Sequence, residues 1–293
     1  MTDLQSREEL KEELPLLWEW QVNRSKNMIE YKTKEEIELI RNSSLLVAKT
    51  LAEVARNIRP GISTKMLNDV AESFILDHKA TPGFKGYKGF PATLCTSPNE
   101  VIVHGIPSDR ELKDGEIVSI DCGVLLDGFY GDSAYTFVIG EIPDSLRRLL
   151  KVTYQCLYKG IEYAVVGNSL GDISATIQRH AEDAGFSVVR ELVGHGLGRN
   201  LHEAPEVPNY GKKGRGLKLK EGLVIAIEPM INFGKRNIVQ EKDGWTIRTA
   251  DRKPSAHYEH TVAVGKEKPV VLSTFEYIEE ALQANSNYVF FKF

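Results

Sequence analysis

A chain of 293 residues, 42% hydrophobic and 27% charged, has enough material for a substantial core and the balance of an ordinary soluble globular protein. A formal net charge of −4 gives no electrostatic reason to expect nucleic acid or an anionic membrane as the main partner, and no apolar run approaches the ~20 residues that span a bilayer. Three scattered cysteines (Cys95, Cys122, Cys156) make no disulfide framework, and the acid-rich start has no signal-peptide core, so a reducing, cytoplasmic setting is expected.

Residues 1–27 are mostly polar, with an apolar cluster at Leu16, Leu17, Trp18 and Trp20, and read as an N-terminal extension or leader; Met28 is a candidate internal start. Residues 28–293 read as a single domain, since no linker interrupts them. Ile37, Ile40, Leu45, Leu46, Leu51, Val54 and Ile58 recur at helical spacing, predicting a helix from Lys34 to Arg59 that stops at Pro60-Gly61. Ser63 or Thr64 caps a second helix to about His78. A glycine- and aromatic-rich loop is expected from Thr81 to Cys95, followed by His104-Gly105-Ile106-Pro107.

Leu112–Asp121 reads L-K-D-G-E-I-V-S-I-D, and 107 positions later Leu219–Glu228 reads L-K-E-G-L-V-I-A-I-E. Each copy is a turn, then an apolar run that buries both faces of a strand, then a carboxylate. An acid closing a buried strand is costly unless its charge is compensated, and two-fold related copies would bring Asp121 and Glu228 to one centre. Beyond Asp121, the Asp127-Gly128 dipeptide predicts a two-residue hairpin that sets Gly123 opposite Asp132, so Asp121 and Asp132 share a face.

Helices are predicted from Asp144 to Tyr163 and, after a Val166-Gly167-Asn168 break, from Ser169 to about Ala184. Gly167 lies 106 positions after Gly61, so the helix–break–helix repeats at nearly the strand period. Two such halves imply one pseudo-symmetric α/β domain. The second half adds Gly194-His195-Gly196-Leu197-Gly198, His202-Glu203-Ala204-Pro205, a basic loop (Lys212, Lys213, Arg215, Lys218, Lys220), Asp243-Gly244-Trp245 and Tyr258-Glu259-His260. T-V-A-V-G after Glu259 parallels T-F-V-I-G after Asp132, which makes Glu259 the approximate mate of Asp132, two positions out of register. The aromatic tail, Tyr288 to Phe293, is expected to pack on the core.

Asp121, Asp132, Glu228 and Glu259 therefore converge, with His195 between flexible glycines as a fifth member. Four carboxylates cannot stay ionised in one buried place without cations, and two divalent ions would balance them. Oxygen-rich ligation with one imidazole suits Mn²⁺, Fe²⁺, Co²⁺ or Zn²⁺. Two such ions about 4 Å apart would lower the pKa of a bridging water and polarise a substrate carbonyl, which is a hydrolase site.

The ordered set H-G-I-P, D-C-G with an Asp eleven residues on, G-H-G-L-G with H-E-A-P, I-E-P and Y-E-H resembles the type I methionine aminopeptidases, from about Met28 to Val271. The type follows from the 26 positions between His202 and Glu228, which leave no room for the helical insertion of type II. The resemblance implies the pita-bread α/β fold, two pseudo-two-fold halves of antiparallel sheet with helices outside, and a dinuclear metal site. It implies that the enzyme removes the initiator methionine from nascent proteins and from peptides with a small second residue, through a hydroxide bridging the two metals.

By the same resemblance Asp121 chelates one metal, His195 and Glu228 the other, and Asp132 and Glu259 bridge both. Glu228 is the proton shuttle, His202 contacts the scissile carbonyl, and His104 bonds the substrate amide nitrogen. The methionine pocket draws on Phe84, Tyr87, Phe90, Cys95, Leu201 and Trp245, although Phe84 and Leu201 depart from the bacterial pattern. A monovalent cation on carbonyls of Asn99, Val101 and Ser255, docking of the basic loop at the ribosome, and a monomeric state are further implications. His78, His180, His257 and His260 carry no motif and read as structural.

Two other readings share these residues. Xaa-Pro aminopeptidases and prolidases use the same fold but usually carry an additional N-terminal domain, for which a 27-residue leader is too short. A binding protein that has lost catalysis would be expected to lack ligands, and all five are present.

Overall fold

The hydroxyl of Thr33 accepts the N–H of Glu36, and the Glu36 carboxylate accepts the N–H of Thr33, so two first-turn donors are satisfied where helix α1 (Lys34–Asn57) begins. The computed structural model describes residues 28–286 and Tyr288; the apolar cluster of the leader and the tail beyond Tyr288 lie outside the described residues. Ser63, not Thr64, caps helix α2 (Thr64–Asp77), accepting from the N–H of Met66. Helices α3 (Asp144–Ile161) and α4 (Leu170–Asp183) flank the expected break, and the Asp172 carboxylate holds the N–H of Ser169 at 2.7 Å. Helix α5 (Glu276–Ala284) lies against α1.

Among the described residues every strand ladder is antiparallel. In the first half, Glu116–Leu126 and Phe129–Ile139 form a long hairpin that turns at Asp127 (φ 51°) and Gly128 (φ 79°), the left-handed pair that a tight hairpin demands. Its register sets Asp121 opposite Ala134 and Gly123 opposite Asp132, as the turn predicts. In the second half, Gly194–Gly196 lies between Glu203–Val207 and Val224–Ile227, and His260–Ala263 pairs with the far side of Val224–Ile227. Between His202 and Glu228, where every residue is described, there are two strands and connecting loop and no helix.

Two details differ from the sequence expectation. Thr81–Cys95 is a loop only in its middle, because Thr81–Pro82 and Leu94–Pro98 both pair with Glu116–Leu126 and satisfy their backbone groups there. The strand Val101–Val103 leaves its own half to pair with a hairpin of the other, Ile238–Gln240 with Ile247–Thr249, which carries Trp245 at its turn.

One apolar cluster takes Leu51, Leu67, Ile120 and Phe137 from the first half and Ile173, Ile225 and Tyr258 from the second. The two halves are therefore packed as one body, with the acids at their junction. Tyr288 fits the expected tail packing: its ring rests on this cluster and its hydroxyl accepts the Val138 N–H at 3.1 Å.

Candidate metal centre

Hydrogen bonds across the pseudo-dyad align the acids. The N–H of Glu259 donates to the carbonyl of Ala134 at 2.9 Å, and Ala134 is the cross-strand partner of Asp121. Ser133 Oγ donates to the Glu259 carbonyl at 2.7 Å, and Thr261 Oγ1 donates to the Asp132 carbonyl at 2.8 Å. On the other side the register pairs His260 with Ile227, which sets Glu228 and Glu259 side by side at the end of one ladder.

His195 reaches the same place because its neighbours are glycines. A Cβ on Gly194 would meet the Ala226 carbonyl oxygen at 2.3 Å, and one on Gly196 would meet that of Ala204 at 2.4 Å. His195 Nδ1 donates to the Gly196 carbonyl at 3.0 Å, which fixes the tautomer and leaves the Nε2 lone pair facing the acids. That Nε2 lies 3.8 Å from Asp132 Oδ2 and 3.7 Å from Glu228 Oε1.

All five expected ligands are thus brought together. Ligand atoms of Asp132, His195 and Glu259 lie within 4.8 Å of one another. Asp121 joins them through hydrogen-bonding contact with Asp132, and Glu228 through His195. Burial pushes the Asp121 carboxyl up to about 7. Burial, reinforced by the neighbouring acids, pushes Asp132, Glu228 and Glu259 well above the carboxylate range.

The imidazoles supply no compensating charge. Burial lowers His195 and His104 to about 4 and His257 to about 3, and His202, which is open to the cleft, is lowered by desolvation and by the neighbouring histidines. Asp121 Oδ1, Asp132 Oδ1 and Glu259 Oε1 are buried without a hydrogen-bond partner. Each such orphan costs about 1–3 kcal/mol, and three converging on crowded acids form a donor set that fits divalent cations.

The cluster opens into a cleft of ≈1320 Å³. Phe84, Phe90, Cys95 and Leu201 are buried together in a separate apolar cluster, with Tyr87 and Trp245 packed against it. Trp245 meets the Phe90 ring edge-on at 5.0 Å, and the Asp243 carboxylate pins its loop by accepting from the N–H groups of Trp245 and Thr246. Ile106, from the H-G-I-P motif, and Tyr130, just after the Asp127-Gly128 turn, also pack there, and the sequence reading assigned neither to the pocket. His202 stacks on Tyr87, bonds its hydroxyl at 3.0 Å, and lies 4.1 Å from the His195 ring. His104 lines the cleft with φ at 59°, a backbone conformation that costs a non-glycine residue about 1–3 kcal/mol.

The remaining candidates lie elsewhere. Asn99 and Ser255 are adjacent, the Asn99 carbonyl accepting the Ser255 N–H at 2.9 Å, and Val101 lies two residues further along. Lys212, Lys213, Arg215, Lys218 and Lys220 are exposed on a loop whose backbone folds onto Gly171 at the start of α4. His78, His180 and His260 bond Phe74, Gln155 and the Tyr158–Ser273 pair, in keeping with structural roles.

His257 is the exception. Its Nε2 lies 3.8 Å from Glu228 Oε2 and 4.0 Å from Glu259 Oε2. The signal was in the repeat. Counting back from T-V-A-V-G, His257 and not Glu259 stands in strict register with Asp132.

The metallopeptidase family M24 model matches residues 38–266. The methionine aminopeptidase of Clostridium perfringens is 52% identical, covering 84% of this chain and 99% of its own length. Methionine aminopeptidase 1 of Bacillus subtilis is 50% identical, covering 81% and 96%. The crystal structure of methionine aminopeptidase from Rickettsia prowazekii matches with a TM-score of 0.83 at 43% identity, over 84% of this chain and 100% of that one, so the fold is the pita-bread fold that the motifs imply. Prolidase from Pyrococcus furiosus, with a TM-score of 0.68 at 22% identity over 84% of this chain and 66% of that one, shares the fold alone. The chain belongs to metallopeptidase family M24 and, within it, to the methionine aminopeptidases.

Proposed function

We infer that this protein is a metal-dependent methionyl aminopeptidase that removes N-terminal methionine from nascent proteins and from peptides with a small second residue. The observation that carries the reading is the orphaned, buried acid cluster opening directly onto an apolar, aromatic-walled pocket. A thioether packs well against ring edges, so that pocket suits an unbranched methionine side chain.

Asp121 on one side, His195 with Glu228 on the other, and Asp132 and Glu259 between them would hold two divalent cations, with Co²⁺, Mn²⁺, Fe²⁺ and Zn²⁺ all compatible with this donor set. When bound, the cations activate water and polarise the substrate carbonyl. Glu228 takes the proton of the attacking water on its carboxylate and passes it to the leaving amine. The neutral His202 ring donates to the oxygen on which charge develops, and His104 holds the scissile amide in line. Phe84, Tyr87, Phe90, Cys95, Leu201 and Trp245 exclude water from the methionine side chain.

We place the protein in the cytoplasm as a monomer acting on emerging chains, with Lys212, Lys213 and Arg215 as the face toward the ribosome. A bound monovalent cation at Asn99, Val101 and Ser255 belongs to the same reading. Among the described residues no helix is long and apolar enough to cross a membrane.

The deciding experiment is hydrolysis of Met-Ala-Ser against an Ala-Pro peptide, with EDTA and then with each divalent ion under anaerobic conditions. Metal-dependent cleavage of Met-Ala-Ser is expected. Preference for the Ala-Pro peptide would move the assignment to the prolidase side of the fold, and metal binding without turnover would make it a binding module.

A further inference from the structure

His257 is outside the ligand set, but its ring stands where an outer partner of that set would stand. It is 1% exposed, and its Nε2 is buried with no hydrogen-bond partner. Its backbone is held from the opposite half, the N–H donating to Thr136 Oγ1 at 3.0 Å and the carbonyl accepting from the same hydroxyl at 2.6 Å. The backbone that carries the ring is therefore fixed, and the ring itself is enclosed.

The geometry points to His257 as a positioning residue whose Nε2–H is the shared donor that keeps Glu228 and Glu259 turned toward the cations. The inference rests on the metal-centre reading above. The Glu228 carboxylate lies between two rings, with Oε1 3.7 Å from His195 and Oε2 3.8 Å from His257. Glu259 Oε2 is 4.0 Å from the same His257 nitrogen, so one donor is nearly equidistant from two ligands. A shift of about an ångström in either carboxylate brings it into hydrogen-bond range. A bare Nε2 would set its lone pair against two oxygen lone pairs, whereas Nε2–H attracts both. Outer donors of this kind orient ligating carboxylates and set metal affinity.

The test is Mn²⁺ affinity, measured by isothermal titration calorimetry on metal-stripped wild type, H257Q and H257L. H257L, which fills the space without a donor, is expected to weaken Mn²⁺ binding by about 10–100-fold. H257Q, which keeps a nitrogen donor near the same place, is expected to recover most of that loss. H257L that melts earlier but binds Mn²⁺ like wild type would overturn the inference and leave the metal centre standing. Wild type that binds no Mn²⁺ would overturn both. Nitrogen-15 chemical shifts of the His257 ring in Zn²⁺-loaded wild type supply a readout independent of any variant's folding. A protonated Nε2 is expected, and an unprotonated one would sink the assignment.

Discussion

The backbone N–H of Glu259 donates to the carbonyl of Ala134 at 2.9 Å, and this bond ties the two halves of the molecule at the point where their acids meet. Ala134 is paired with Asp121 across the first-half hairpin. The position of a second-half acid relative to a first-half acid is therefore set by main-chain hydrogen bonds. Main-chain groups have few soft torsions, so the backbone that carries these acids is held in place before any ligand arrives.

Thr136 carries much of this seam. Its hydroxyl bonds the His257 backbone twice and lies 2.9 Å from Ser119 Oγ. T136V keeps the shape and removes those bonds, leaving a buried N–H and carbonyl of His257 unsatisfied. It is expected to destabilise the protein by about 1–3 kcal/mol, read as a lower urea midpoint with unchanged slope. An unchanged midpoint would show that the seam is held by packing alone.

Asp132 is 3% exposed and stands among Asp121, His195 and Glu259. D132N keeps the volume and removes the charge. Loss of Mn²⁺ affinity by more than about 100-fold, the upper limit for mere outer partners, is expected together with loss of methionine release. Turnover and metal content like wild type would remove Asp132 from the centre.

The metal-free protein should lose stability as the solution becomes alkaline. Asp121, Asp132, Glu228 and Glu259 have raised folded values, so their contribution is full below the unfolded carboxylate range and is lost as pH rises through the folded values, about 7 for Asp121. The buried histidines are shifted the other way, and their effect is complete once the unfolded imidazole is neutral, so above pH ~7 the acids dominate. Each additional proton kept by the folded state costs about 1.4 kcal/mol per pH unit, and each kcal/mol moves Tm by about 2–4 °C. In EDTA, Tm is expected to fall as pH rises through about 7. Excess Mn²⁺ should reverse the trend, because the cation replaces those protons. A flat or rising Tm in EDTA would contradict the raised acids.

Lys32 and Glu203 form a buried ion pair at 2.6 Å, their side chains 3% and 7% exposed. Glu203 also accepts the N–H of Asn200 at 3.0 Å, so the pair anchors the loop that carries Leu201 and His202 into the cleft. K32M leaves a buried carboxylate without its cation and is expected to cost about 3–5 kcal/mol in urea unfolding, whereas K32M/E203L should recover most of it. A single variant as stable as wild type would mean that Glu203 finds water instead.

Much of this was legible in the residues themselves. The repeated strand ending in Asp121 and Glu228, the Asp127-Gly128 turn that aligns Asp132, and the glycines around His195 are local signals, because strand alternation and turn geometry act within a few residues. Helix starts at Thr33 and Ser63 are local for the same reason. What only the tertiary structure decided is which side chains share space across the dyad. His257 gains its place from a ladder with Met230 and from Thr136, more than a hundred positions away in the chain, and the pocket gains Ile106 from a loop and Tyr130 from the strand Phe129–Ile139. The Lys32–Glu203 pair spans 171 positions. Contacts of that range are set by how the two halves close on each other; the repeat marks His257 as the mate of Asp132, but no spacing within either half says which side chains it meets.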